Sequence, residues 1–374
     1  LAVNQDIEQR IQRARQTLAQ QDLDTFLVLI GENRFYLSGF SAEDTQFDES
    51  AGALLITGEH LLLLTDSRYD QQAATEAPLY EVICYKEGLK KVLPDVLKRV
   101  ATRRLGFESV RISVKQHEEF CQALGSAGIQ LEMVATENIV EDLRAIKSQH
   151  EIEQTRQALA LAEMAFQQVT RTISSDMTEQ QAAWALERAV REAGAQGLSF
   201  PSIIASGPNS ALPHAVPSDR RLQEGEPIIF DWGAKLNHYC SDISRTLVLG
   251  KPNEMFQRVF QTVLEAQKKA IGAIKAGASA KAVDKLARDH IDAMGFQGRF
   301  GHGLGHGTGL AVHEAPRLSP VRDDVLKAGM IVTVEPGIYI PGWGGVRIEN
   351  QVVVRDHGAE VLNASEAGRF WIER

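Results

Sequence analysis

The sequence predicts a two-domain α/β (α+β) chain in which a small N-terminal α/β domain precedes a larger, pseudo-symmetric domain built by internal duplication. Three observations carry that prediction. The chain has 374 residues, helical and strand-like patterns alternate up to about Met133, and a block of helix, helix, strand and hairpin occurs twice after residue 148. A single hydrophobic core stops growing at roughly 250 to 300 residues, so this length calls for two. Hydrophobic residues at 44% and charged residues at 24% are ordinary for a globular chain and argue against disorder or fibre.

Along the first domain, Asp6 to Gln20 places Ile7, Ile11, Ala14 and Leu18 at helical spacing. Thr25 to Ile30 is a short apolar run that reads as a strand, and Gly52 to Thr65 reads as two strands joined around Gly58 and Glu59. The pattern turns mixed between Thr136 and Ser148, which puts the domain boundary near residues 130 to 145: residues 1–135 for the first domain and 145–374 for the second.

In the second domain the first copy has a helix from about Glu151 to Ile173, then one opened by Thr178 with Gln181 three residues on, a capping-box pattern, and stopped at Gly194. The second copy has a helix from about Glu254 to Lys275, another after Ser279, and a stop at Gly295. Gly225 then precedes a strand ending at Asp231, and Gly329 precedes one ending at Glu335; both intervals are six residues. A hairpin follows each acid and returns with another, Asp242 in the first copy and Glu349 in the second. Duplication therefore brings four carboxylates together.

Several function classes drop out on composition. The net charge of −9 comes without a basic stripe, so no nucleic-acid partner is expected. The longest apolar stretch, Ala53 to Leu64, is interrupted and too short to span a bilayer, and the polar N-terminus lacks the apolar core of a secretory signal. Three widely spaced cysteines, Cys84, Cys121 and Cys240, make no disulfide framework and suit a reducing cytoplasm. The glycine run from Gly301 to Gly309 fits neither nucleotide-loop pattern.

Carboxylates at the ends of apolar strands are costly to desolvate unless a cation offsets the penalty. The apolar parts of those strands offer no Lys or Arg, so metal is the expected counter-charge, and two divalent ions balance four carboxylates. Hard oxygen donors suit Mn²⁺ and other divalent first-row ions. His306, in GHGLGHGTG, could add a nitrogen donor, its neighbouring glycines allowing close approach. One imidazole among four acids disfavours a structural zinc site.

The motifs Asp231-Trp-Gly-Ala, Ser241-Asp242-Ile-Ser-Arg-Thr246, His302-Gly-Leu-Gly-His306 with His313-Glu314, Val334-Glu335-Pro-Gly337 and Arg347-Ile-Glu349 together resemble the creatinase, prolidase and aminopeptidase P superfamily. Its catalytic fold is the pita-bread fold, and the resemblance covers nearly all of residues 150 to 374. Tyr36-Leu-Ser-Gly-Phe40 and Thr65-Asp-Ser-Arg-Tyr69 extend it, more weakly, to a creatinase-like first domain.

The resemblance implies a dinuclear metallopeptidase that cleaves between an N-terminal residue and proline. Asp231 is then a ligand of one ion, Asp242 and Glu349 bridge both, and His306 and Glu335 bind the second. Mn²⁺ is expected, with Co²⁺ or Zn²⁺ as alternatives. Two such ions lower the pKa of a shared water enough to give hydroxide near neutral pH. Glu335 carries its proton, His214 and His313 stabilise the tetrahedral intermediate, and His302 lies nearby. Arg317 is the candidate for a dipeptide's carboxylate. Tyr339 is a candidate site hydroxyl, and Arg347 a substrate-side residue that orients the carboxylates; Cys240 has no assigned role.

Against the family pattern, Ser244 stands where threonine is usual and keeps the hydroxyl. The acidic segment Ser41 to Ser50 looks longer than the usual turn, which bears on substrate length because in dimeric relatives this region approaches the partner's active site. The substrate is expected to be a proline-containing dipeptide or longer oligopeptide, the assembly a homodimer. An Xaa-Pro aminopeptidase is the first alternative. Metal-free creatinase-like C–N hydrolysis and a non-catalytic binding module are further ones, and five retained ligand positions argue against both.

Overall fold

The computed structural model of the chain describes residues 2–44, 46, 49–365, 368, 371 and 372. Two compact units emerge, Leu1–Arg144 and Ala145–Arg374.

The first unit is built on a six-stranded sheet of β1 (Thr25–Val28), β2 (Ala53–Thr57), β3 (Leu61–Asp66), β4 (Glu81–Tyr85), β5 (Arg104–Glu108) and β6 (Glu132–Thr136), in the order β4-β3-β2-β1-β5-β6. The pairs β1–β2 and β2–β3 are antiparallel; β1–β5, β3–β4 and β5–β6 are parallel. β1 and β2 are buried at every residue, which is why they read as continuous apolar runs rather than alternating ones. The helix Ala2–Gln20 buries the predicted stripe of Ile7, Ile11, Ala14 and Leu18. The first strand stops at Val28, short of Ile30, because the Leu29 and Ile30 amides both donate to the buried Glu108 carboxylate, at 2.6 Å each. Burial pushes that carboxyl up to about 7, against the pull of these amides and of Asn33.

The second unit repeats itself as its sequence predicts. Its first helix runs Gln149–Thr170, ending short of the expected Ile173, and Ser148 caps its start: the Ser148 hydroxyl accepts from Glu151 N and the Glu151 carboxylate from Ser148 N. The Thr178–Gln181 capping box opens the helix Glu179–Glu192. In the second copy Asn253 and Ser279 cap Glu254–Ala273 and Ala280–Ile291. The predicted stops Gly194 and Gly295 both stand at left-handed φ, 104° and 88°.

Each copy then contributes a sheet. In the first, Pro227–Trp232 lies between Ile203–Ser206 and Ile243–Leu249, antiparallel to both. In the second, Ile331–Val334 lies between Gly305–Gly307 and Asn350–Arg355, again antiparallel to both. Leu159, Leu186, Phe230 and the fully buried Trp232 centre one hydrophobic cluster, while Phe256, Val263, Val332 and Val352 centre the other. Trp232 stacks on Phe166 at 4.3 Å and donates its indole N–H to Ala162 O. Truncation of such a side chain to alanine costs about 3–5 kcal/mol, so these clusters hold the acid-bearing strands rigid.

Candidate metal centre

The four acids sit where the duplicated strands end and restart. Asp231 is in the last turn of the pleat of Pro227–Trp232, and Glu335 directly follows Ile331–Val334. Asp242 directly precedes Ile243–Leu249, and Glu349 directly precedes Asn350–Arg355. His306 is the middle residue of Gly305–Gly307. Ligand atoms of Asp242, His306 and Glu349, all buried, lie within 4.8 Å of one another. His306 Nε2 is 3.3 Å from Glu335 Oε1 and 3.6 Å from Asp242 Oδ2. All five residues, Asp231 included, line one cavity of about 710 Å³.

Crowding and burial shape the electrostatics. Burial first, then the charges of Glu349, Asp231 and Glu335, hold the Asp242 carboxyl well above the usual range. Burial and the charges of Glu335 and Asp231 do the same to Glu349, and burial pushes Glu335 up to about 8. His306 is driven down to about 3 by burial and by His313, so its imidazole is a neutral donor. Its ring meets that of His313 edge-on at 4.4 Å.

The reading that the apolar parts of these strands carry no Lys or Arg is corrected by Arg245, and Arg347, expected to orient the carboxylates, is a second buried arginine here. Arg245 is buried in Ile243–Leu249, yet it donates to the Ser244 and Glu349 carbonyls and to Asn350 rather than to the four carboxylates. Arg347 does reach one of them: Nη2 donates to Asp231 Oδ2 at 2.5 Å, Nε to Ser244 Oγ, and Nη1 to Tyr339 OH and Pro213 O. Ser244 in turn donates to Glu349 Oε2 at 2.7 Å. One guanidinium against four carboxylates still leaves a negative site.

The half-buried His302 pairs with the buried Tyr339, its Nε2 2.8 Å from the Tyr339 hydroxyl. Burial and Arg347 lower His302 to about 4, and burial raises Tyr339 to about 12. His302, His214, His313, Arg317 and Arg347 line the cavity; Tyr339 stands behind it. Burial and the positive Arg317 lower the His313 pKa. Arg317 lies opposite His306 in the register of Gly305–Gly307 with Glu314–Ser319. Cys240 is a buried thiol whose Sγ lies 3.6 Å from Leu310 O.

The glycines around His306 serve strand packing: a Cβ on Gly305 would stand 2.0 Å from Thr333 O, and one on Gly307 2.1 Å from Ala315 O. Of the acidic segment Ser41 to Ser50, Thr45, Phe47 and Asp48 lie outside the described residues; Asp44 pairs with Arg34 and Arg111.

Sequence reasoning passed over Thr333 and the pairing of Lys147 with Glu314. Thr333 accepts from His306 N and donates to Glu335 Oε1, tying two site residues together; a hydroxyl inside the apolar strand IVTV was the available signal. Lys147 and Glu314 form a buried ion pair at 2.8 Å, and Glu314 also accepts from Ala311 N, bracing the turn that carries His313. Nothing in their sequence neighbourhoods brings those two together.

The donor set fits divalent metal. Carboxylate oxygens with one neutral imidazole are hard-to-borderline donors. Among the described residues, Asp231 Oδ1 and Glu349 Oε1 are buried without a hydrogen-bond partner, a costly arrangement that a bound cation relieves.

The chain is similar to known proteins over almost its whole length. The profile of the Creatinase/Prolidase N-terminal domain matches residues 10–146 and that of Metallopeptidase family M24 matches residues 153–356. An Xaa-Pro dipeptidase of Pyrococcus furiosus is 36% identical over 360 residues, spanning 96% of this chain and 99% of that protein. The structure of an Xaa-Pro dipeptidase from Bacillus anthracis superposes with a TM-score of 0.91 at 36% identity, covering 98% of this chain and 100% of that one. That of an X-Pro aminopeptidase from Thermotoga maritima gives 0.86 at 36% identity, covering 94% and 98%. With a buried carboxylate and imidazole centre in a duplicated fold and matches along almost its whole length, the chain belongs to metallopeptidase family M24, metal-dependent hydrolases, and carries a creatinase/prolidase N-terminal domain.

Proposed function

We propose that this chain is a dinuclear-metal hydrolase that cleaves the bond between an N-terminal residue and a following proline, with Xaa-Pro dipeptides as its preferred substrates. The observation that carries the reading is the buried meeting of Asp242, His306 and Glu349 beside Asp231 and Glu335. The relatives named as Xaa-Pro dipeptidases support the substrate. Residues 145–374 carry the chemistry, and residues 1–135 form the accessory domain.

In this reading Asp231 would hold one ion, His306 and Glu335 would hold the second, and Asp242 and Glu349 would be shared between them. The ions supply Lewis acidity and a water acidic enough to ionise near neutral pH. Glu335 takes up a proton and delivers it to the proline nitrogen, which leaves poorly unless protonated. His214 and His313 donate to the oxygen that gains charge as the carbonyl is attacked, with His302 beside them. Arg317 pairs with the free carboxylate of proline. Arg347 and Tyr339 hold Asp231, Ser244 and His302 in place, which the four hydrogen bonds of Arg347 to Asp231, Ser244, Tyr339 and Pro213 support.

Mn²⁺ is the proposed native ion, with Co²⁺ or Zn²⁺ as alternatives, because carboxylate oxygens suit hard divalent ions. A cytoplasmic homodimer completes the reading; the three free cysteines support a reducing compartment.

A paired assay tests it. Protein loaded with Mn²⁺ is expected to hydrolyse Xaa-Pro faster than Xaa-Pro-Xaa, to bind two ions per chain, and to lose activity with a chelator. Faster turnover of the tripeptide moves the assignment to Xaa-Pro aminopeptidase, which the likeness to the Thermotoga maritima enzyme supports. Hydrolysis of neither by folded, metal-loaded protein sinks both.

A further inference from the structure

We infer that Glu179 is a positioning residue for His214: its carboxylate clamps both ends of the 206–218 segment and so sets where that imidazole meets substrate. The inference rests on the reading of His214 given above and on contacts which that reading does not use. Glu179 is fully buried in the first turn of the helix Glu179–Glu192. A carboxylate buried there is costly unless its oxygens are satisfied, and the donors that satisfy it come from one loop.

Oε1 accepts from Ser206 N at 2.7 Å and Ser206 Oγ at 2.8 Å. Oε2 accepts from Ser218 N at 3.0 Å and Ser218 Oγ at 2.6 Å. Asn209 Nδ2 reaches both oxygens, at 3.3 and 3.2 Å. The helix backbone joins in, Gln180 N donating to Ser218 O and Glu179 N to Arg220 O, both at 3.0 Å. One carboxylate therefore grips the chain where it leaves the strand Ile203–Ser206 and again where it returns.

Between the grips, the short helical turn Gly207–Ala211 leads to Leu212, Pro213 and His214. Apolar burial does little to hold the tip, since Leu212 is 60% and Val216 83% exposed. Two contacts hold its far side: Arg347 Nη1 donates to Pro213 O at 3.1 Å, and Gly345 N to Ser210 Oγ at 2.8 Å. His214 is thus suspended between the Glu179 clamp and the Arg347 hairpin. A displacement of about 1 Å at such a group costs on the order of a hundredfold in rate.

The test compares Glu179→Gln in the wild-type and His214→Ala backgrounds, with hydrogen–deuterium exchange of residues 207–217 as a readout independent of turnover. Glutamine keeps the volume but turns one acceptor into a donor facing either Ser206 N or Ser218 N. Expected are faster exchange confined to 207–217, unchanged metal content, and a fall in kcat of about ten- to a hundredfold with KM within about twofold. In the His214→Ala background the same change should cost less than about twofold, because the two residues act as one unit. Equal losses in both backgrounds, or unchanged exchange at 207–217, would overturn the inference. If Glu179→Gln does not fold, Ser218→Ala, which removes a single hydroxyl donor, is read by the same two criteria. A His214→Ala protein of full activity overturns the reading of His214 and with it the catalytic half of this inference, while exchange at 207–217 still decides whether the clamp exists.

Discussion

The two copies within the C-terminal unit share a frame and differ in what they hang on it. In both, an acid closes the central strand and another opens the return strand, Asp231 and Asp242 in one, Glu335 and Glu349 in the other. The flanking strand differs. Ala205 pairs with Ile229, two residues before Asp231, whereas His306 donates its amide to Thr333, two residues before Glu335. One copy thus supplies alanine where the other supplies the imidazole. The return strands diverge as well: Ser244 donates to Glu349, while its counterpart Gln351 turns to Thr308. The loops carrying His214 and His302 are also held differently. Glu179 holds the first through its carboxylate; its counterpart Ala280 has none, and Arg288, paired with Asp284, donates to Phe300 O and His302 O instead. Symmetry supplies the paired charges that a metal centre needs, and departures from symmetry give its two sides different side chains.

That comparison breaks most readily at the paired acids. Asp242→Asn and Glu349→Gln occupy equivalent places, so each should lower metal occupancy and kcat/KM together by at least about a hundredfold. Metal analysis beside steady-state kinetics checks this, and a near-normal rate in either would end the equivalence. Arg317 belongs to the second copy alone and tests the asymmetric side. Arg317→Ala should cost about ten- to two-hundredfold in kcat/KM on Xaa-Pro, the worth of a charge-assisted bond of roughly 1.5–3 kcal/mol, and little on Xaa-Pro-Xaa. Equal losses on both peptides would make Arg317 structural. The smallest effect is expected for Ser244→Ala, which removes the hydroxyl that orients Glu349: metal affinity should fall by about tenfold in a titration, and unchanged affinity would show that Arg347 alone suffices to order that side.

Much of the frame was legible because its signals are local. The Thr178–Gln181 pair, the glycine stops and the six-residue interval from Gly225 to Asp231 and from Gly329 to Glu335 each report on a turn or two of chain. The first strand of the N-terminal unit was read two residues too long, since Leu29 and Ile30 remain apolar while their amides are diverted to Glu108, which a pattern of apolar residues cannot register. Arg347 was seen as a neighbour of Glu349, yet its strongest bond is to Asp231.

The sequence by itself determined the duplicated order of elements, the four acids at strand ends and His306 among its glycines, because strand period, capping chemistry and glycine turns act over a few residues. Only the tertiary structure decided that Arg347 bridges to Asp231, that Thr333 links His306 to Glu335, and that Glu179 grips Ser206 and Ser218. Those contacts join residues on separate strands, helices and loops, and a buried polar group takes whichever partner the packing of those elements brings within about 3 Å.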